Sequence, residues 1–218
     1  MRKPVSVEAI RSTGTTINNE TMKVAIIKYN AGNIYSVYCC VTRLGAEAII
    51  TDDVEEIRSA DKVIFPGVGE ARAAMEYLNE KGLSDVIRNL KQPVLGICIG
   101  MQLMCKHSEE GDIDCLGIFD VPVVKFKPTD REYKVPQVGW NQIFSSENCP
   151  LYKDVLDGEY VYYVHSYHVP LCEWTIAKTD YSVLYSASLH KDNFWATQFH
   201  PEKSGSVGER IIANFLAM

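Results

Sequence analysis

Four short apolar runs, Lys23 to Lys28, Ala46 to Ile50, Lys62 to Phe65 and Pro93 to Ile97, are spaced by stretches that carry helix signals. Runs this short and this rich in β-branched residues are buried strands, and strands separated by helices pair parallel, because a parallel pair needs a crossover that covers its faces. Asn33 to Leu44 reads as a helix stopped by Gly45, a shorter helix follows Asp52 and Asp53, and a third begins near Glu70 behind Pro66-Gly67-Val68-Gly69. The order βαβαβα predicts a parallel sheet covered by helices. Past residue 118 the texture changes to closely spaced aromatic strands, Tyr160 to Val164, Glu173 to Thr179, Tyr181 to Ser188 and Phe194 to Phe199, which pair antiparallel, before a closing helix from Val207 to Leu216. The expectation is one α/β domain from residue 22 to 218, three-layered, with a mixed and mostly parallel sheet flanked by helices. Met1 to Thr21 lacks either periodicity and is read as an extension outside the fold, a mis-assigned start or a cloning remnant.

With 218 residues, 46% of them hydrophobic, the chain can bury a full core without disulfide or metal support. Its formal charge of -6 and lack of a basic block exclude duplex nucleic acid as a first reading. Seven cysteines with no C-x-x-C pair fit neither a disulfide framework nor a zinc knuckle, which points to a reducing cytoplasm. No window offers the 18 or more apolar residues of a membrane span.

The segment Gly96-Ile97-Cys98-Ile99-Gly100 has the G-x-nucleophile-x-G form of a strand-to-helix elbow, whose glycines allow a tight turn that lifts the central side chain. An isolated cysteine is usually a small buried hydrophobe; the paired glycines make Cys98 a candidate nucleophile. At the N-terminus of the following helix its thiolate would be favoured, and free N–H groups there could meet an oxyanion. A thiol attacking a carbonyl needs a base, and the base an orienting partner. Of the five histidines, His107, at the end of the elbow helix, and His190, in a polar turn, lack an evident orienter, while His165 and His168 flank a strand end at Ser166-Tyr167. His200 follows an apolar strand, and in His200-Pro201-Glu202 the proline holds it extended, so that His200 and Glu202 face the same side. Pro66-Gly67-Val68-Gly69 is a turn by default; no G-x-x-x-x-G-K-[ST] or G-x-G-x-x-G accompanies it, so it carries no nucleotide signal, and its bare backbone suits an oxyanion instead.

These residues resemble the triad-bearing, class I glutamine amidotransferases, whose fold is flavodoxin-like, and within them the glutaminase subunits of imidazole glycerol phosphate synthase. The elbow with Met101 and Gln102, and Gln198-Phe199-His200-Pro201-Glu202, carry the wider class; Tyr29 to Asn33, Pro66 to Gly69, Ser108 to Gly111, Pro136 to Asn141 and Tyr163 to Tyr167 carry the narrower likeness. The resemblance implies that Cys98 attacks the glutamine side chain, His200 acts as base then acid, and Glu202 orients it. It further implies an oxyanion site from Ile99 and Gly67, Val68 and Gly69, and a glutamine pocket from Gln102, His165, Ser166 and Tyr167. As partner it implies a (β/α)8 cyclase, which receives the ammonia in histidine biosynthesis, and it implies no cofactor or metal. Lys28 and Asn30 depart from the family pattern, where an acidic residue and a glycine are usual, and Met1 to Thr21 is unmatched. Three other readings remain open from the residues: a glutaminase serving another acceptor, a silent assembly module, and a cysteine peptidase built on a similar triad.

Overall fold

The computed structural model describes residues 21–29, 32, 34–67, 69–130, 132–146 and 148–218. The proposed extension, apart from Thr21, and Val68 lie outside the described residues. In the first half the chain alternates as its pattern predicts: β1 (Lys23–Ile27), α1 (Ile34–Arg43), β2 (Glu47–Thr51), α2 (Val54–Ser59), β3 (Lys62–Phe65), α3 (Ala71–Glu80), α4 (Leu83–Arg88), β4 (Val94–Ile97) and α5 (Ile99–Met104). Helix starts are set by carboxylates: Asp53 accepts from the N–H groups of Glu55 and Glu56, and Glu70 from those of Arg72 and Ala73. The elbow helix stops at Met104, short of His107. Its last carbonyls are taken by backbone N–H groups from outside the helix, Leu116 on Leu103 at 2.8 Å and Ile118 on Met104 at 2.9 Å, and the chain turns into β5 (Cys105–Ser108).

The second half is built from β6 (Ile113–Asp114), β7 (Phe119–Lys125), β8 (Gln137–Gln142), β9 (Phe144–Ser145), β10 (Tyr160–His165), β11 (Tyr167–Pro170), β12 (Thr175–Tyr181), β13 (Val183–Lys191), β14 (Phe194–Thr197) and α6 (Gly205–Leu216). The main sheet runs β2-β1-β3-β4-β14-β13-β11-β7-β5-β6, with β12 and β9 branching from β13. Its first five strands are mutually parallel; β14 returns from the antiparallel half to lie parallel to β4, pairing Ala196 with Gly96 and Thr197 with Ile97. Strands β8 and β10 form a separate antiparallel pair.

Period-two alternation divides the core into two layers. Ala25, Ile27, Val63, Phe65 and Val94 pack with residues of α2 to α5, whereas Val24, Ile26, Ile64, Leu95 and Ile97 pack with α1 and α6. Helices therefore cover both faces of the parallel strands, giving the three layers. Burial of such strands on both sides explains why their sequence runs are continuously apolar. Among the described residues no helix is long and apolar enough to cross a membrane.

Candidate active site

Three neighbouring parallel strands end at one edge of the sheet, and each delivers one part of the site. Pro66 and Gly67 follow β3, Cys98 follows β4, and His200 comes shortly after β14. Adjacent strands stand about 4.8 Å apart, so segments distant in sequence arrive side by side. Cys98 has φ 52° and ψ −105°, a backbone conformation that L-residues avoid. Its neighbours are glycine for another reason than backbone freedom. A Cβ on Gly100 would lie 1.9 Å from the Phe65 carbonyl oxygen, and one on Gly96 would lie 3.0 Å from Gly100 and Met101 backbone atoms. The glycines let helix and strands close on one another, and the strain sits on the cysteine itself. Backbone hydrogen bonds brace it on both sides, Cys98 N–H to Thr197 O at 2.7 Å and Gln102 N–H to Cys98 O at 3.1 Å.

The turn of 3-10 helix at Pro201–Lys203 holds the second part. His200 Nδ1 and Glu202 Oε1 are 2.8 Å apart, with both side chains 1% exposed. His200 N–H donates to Tyr162 O, Ser204 Oγ donates to His200 O, and Tyr162 N–H donates to Ser204 Oγ, so strand β10 and the turn are stitched together. Among the described residues, buried Nε2 of His200 meets no hydrogen-bond acceptor in regular geometry. Burial opposes the imidazolium, but Cys98 and Glu202 outweigh it and push His200 up to about 10. A protonated His200 ring, beside Glu202 and facing the Cys98 sulfur, is the state this surrounding favours at neutral pH.

In front of Cys98 lies a cleft of about 140 Å³, lined by Gly69, Ile99, Gln102, Glu110 and the Val164 to Tyr167 edge. Pockets for drug-sized ligands run from about 300 Å³ upward, so this one suits a single small molecule. Ile99 opens α5, where backbone N–H groups have no partner within the helix. Gly67 stands one layer back: a Cβ there would meet Ile99 Cγ2 and the Tyr29 hydroxyl at 2.0 Å each, and that hydroxyl donates to Pro66 O. His165 forms cleft wall, but its ring is already committed, Nδ1 2.7 Å from Tyr167 O and Nε2 3.3 Å from the Tyr185 hydroxyl. Burial pushes it down to about 3, so it is neutral and donates from Nδ1.

Glu110 is a cleft residue that the sequence does not single out. It comes within reach only as part of Ser108 to Gly111, and nothing in its spacing places a carboxylate in the wall of this cleft after β5 has turned back. Burial, partly offset by an Ala71 N–H at 3.0 Å, raises its pKa. His107 also departs from expectation: it lies in β5 and does have carboxylates beside it, Asp114 at 2.9 Å and Asp112 at 3.1 Å, brought there by the β5–β6 hairpin, and it stays away from the cleft. Among the described residues no group of His, Cys, Asp and Glu is arranged as metal ligands are, and the seven cysteines are free thiols.

The family model described as glutamine amidotransferase class-I matches residues 25–218. The chain belongs to the class I glutamine amidotransferases. Curated relatives narrow the likeness for this amidotransferase. Imidazole glycerol phosphate synthase subunit HisH of Bacteroides thetaiotaomicron is 60% identical over 195 residues, 89% of this chain and 99% of that protein. The HisH subunit of Pectobacterium atrosepticum is 46% identical over 198 residues, covering 90% of this chain and all of that one. Among solved structures, a Thermoplasma acidophilum protein described as part of a GMP synthase superposes with TM-score 0.71 at 19% identity, over 91% of this amidotransferase and 94% of that chain. At such identity the superposition speaks to the fold alone.

Proposed function

We infer that this amidotransferase is the glutaminase subunit of an imidazole glycerol phosphate synthase, hydrolysing glutamine and passing the ammonia to a cyclase subunit in histidine biosynthesis. The observation that carries the reading is 60% identity across essentially the whole of a HisH subunit, with Cys98, His200 and Glu202 intact. A silent module would have no need of a strained thiol beside a buried imidazole–carboxylate pair, and a peptidase would need a longer groove than the cleft in front of Cys98.

The geometry supports the following chemistry. Cys98 Sγ attacks the glutamine carboxamide carbon, and the oxygen takes up negative charge near the Ile99 N–H and the Gly69 backbone. His200, held through Nδ1 by Glu202, gives its Nε2 proton to the departing ammonia, leaving a glutamyl thioester. His200 then takes a proton from water, which attacks the thioester carbon, and the thiolate leaves with glutamate released. Glu110 and Gln102 line the same cleft as acceptors for the substrate's α-ammonium, and Ser166 and Tyr167 close its other side.

The surface beside the site supports the partner. On the outer face of the β8–β10 pair, Val138, Trp140 and Tyr160 are 60%, 56% and 53% exposed, and Trp140 packs edge-on against Tyr162. The inner face of the same pair buries Gln137, Tyr163 and His165. A strand whose outer side chains await a partner and whose end forms the cleft is the place for a cyclase to dock. Mixing the full chain with the cyclase and following glutamate release tests the reading: the pair should hydrolyse glutamine when the ribotide substrate is present. No glutamate release from any such pair would count against it.

A further inference from the structure

Two hydrogen-bonded buried amides link the cleft wall to the Cys98 sulfur, and the acyl transfer itself consumes neither. Gln102, one helical turn beyond Cys98 on α5, donates both hydrogens of Nε2, to Tyr167 O and to Gln198 Oε1, each at 3.0 Å. Gln198 is fully buried just after β14, pinned by its own N–H to Ala187 O at 2.8 Å, and its Nε2 donates to Cys98 Sγ at 3.6 Å. A main-chain carbonyl can only accept, so Tyr167 O dictates which end of Gln102 is nitrogen. Gln102 Nε2 in turn dictates that Gln198 presents oxygen to it and N–H to the sulfur. Neither amide can flip without setting two acceptors or two donors against each other in a buried site.

We propose that Gln198 is a positioning residue for the nucleophile: its N–H, locked in orientation by Gln102 and the Tyr167 carbonyl, holds the Cys98 sulfur in its thiolate form and aims it at the cleft. This rests on Cys98 being the nucleophile. The thiol has another neighbour, Val164 O at 3.9 Å, which can only accept and so favours the protonated sulfur. Gln198 supplies the opposing preference on the other side. The donor matters twice in a turnover, stabilising the thiolate before attack and again when it leaves the thioester. Groups that also act on the sulfur are His200, backed by Glu202, from the turn after β14, Tyr29 from the end of β1 and Tyr185 from β13; Glu110, His165 and Tyr167 complete the titratable lining of the cleft. None of these changes when Gln198 is replaced, so a shift in Cys98 reactivity on replacement reports the amide.

The test uses the full chain with its cyclase partner and two variants that bring no charge to the sulfur, Gln198→Leu and Gln198→Met, each of which fills most of the volume and loses the N–H donor. Cys98 alkylation by iodoacetamide, read by mass on its own peptide, is followed against pH, together with kcat and KM for glutamine. Loss of one charge-assisted hydrogen bond predicts a drop in kcat of about 10-fold or more in both variants with KM little changed, and an alkylation profile moved to higher pH. An unchanged alkylation profile in a folded variant, or a raised KM with full kcat, overturns the donor role and leaves Gln198 as packing for Gln102. Cys98→Ala, run alongside, separates the two claims: glutamine hydrolysis surviving there sinks the nucleophile assignment, whereas the Gln198 result bears on the amide alone. Should Gln198→Met fail to fold, Gln198→Leu, which likewise adds no charge beside the sulfur, decides the matter.

Discussion

At Cys98 the backbone pays for the position of the sulfur. A non-glycine residue at φ 52° and ψ −105° costs about 1–3 kcal/mol, so Cys98→Gly should melt above Cys98→Ala, though both lose the thiol and both should be inactive. Thermal melts of the two proteins check this, and an alanine variant as stable as the glycine one would mean the elbow carries no strain. The histidines behave differently from one another. His165 and His168 are buried, and burial pushes them down to about 3 and about 4 from 6.5. Both are neutral when folded and would take up protons below about pH 6.5 when unfolded, so the stability they confer is present above that pH and is lost as pH falls toward 4. His168→Phe, which keeps the stacking on Phe126 at 4.3 Å, should flatten that acid limb in melts taken between about pH 7 and 4. Of the site, Cys98, His200 and Glu202 were legible because each sits in a short motif whose neighbours are unusual. Glu110 and the role of Gln198 were not, since a carboxylate in a loop and an amide after a strand acquire meaning only from what lies across the cleft.

Two glycines far apart in the chain let the turns that carry Cys98 and His200 approach their supports. A Cβ on Gly100 would lie 1.9 Å from Phe65 O, and one on Gly208 would lie 1.8 Å from Pro201 O, against the very turn that carries His200 and Glu202. Backbone cannot yield as a side-chain tip can. Gly208→Ala should therefore push α6 off the turn, costing about 1–3 kcal/mol in denaturant melts and lowering glutamine turnover although it touches no reacting group. A variant with unchanged turnover would show that the turn is held by other contacts. At this scale the parallel half was readable, because strands buried on both faces must be continuously apolar. The short strands β5, β6 and β9 were not, because segments of two to four residues without a continuous apolar run leave nothing to detect, and their pairing is decided by partners elsewhere in the chain.

Across the whole molecule, a cleft at the carboxyl edge of β3, β4 and β14 is joined to an apolar face on the β8–β10 pair a few residues away. Trp140→Ala should weaken association with the cyclase by about 2 kcal/mol or more, roughly 30-fold in Kd, without altering the melt of the free chain, since Trp140 is 56% exposed. Titration calorimetry reads the first and a thermal scan the second. The free chain should hydrolyse glutamine slowly and gain about 10²- to 10³-fold or more from a liganded cyclase if docking completes the oxyanion site beside Ile99. Gly67→Ala is unsuited to probing that step, because its Cβ would strike Ile99 and Tyr29 and disturb the wall whether or not the cyclase is bound. The most direct measurement of the central claim is product formation by the complete complex with either nitrogen source. With glutamine, the parent chain should yield imidazole glycerol phosphate and the Cys98→Ala chain none; with ammonium salt in place of glutamine, both should yield it. Glutamine-dependent product from Cys98→Ala would contradict the assignment of the nucleophile, and no glutamine-dependent product from the parent complex would contradict the function.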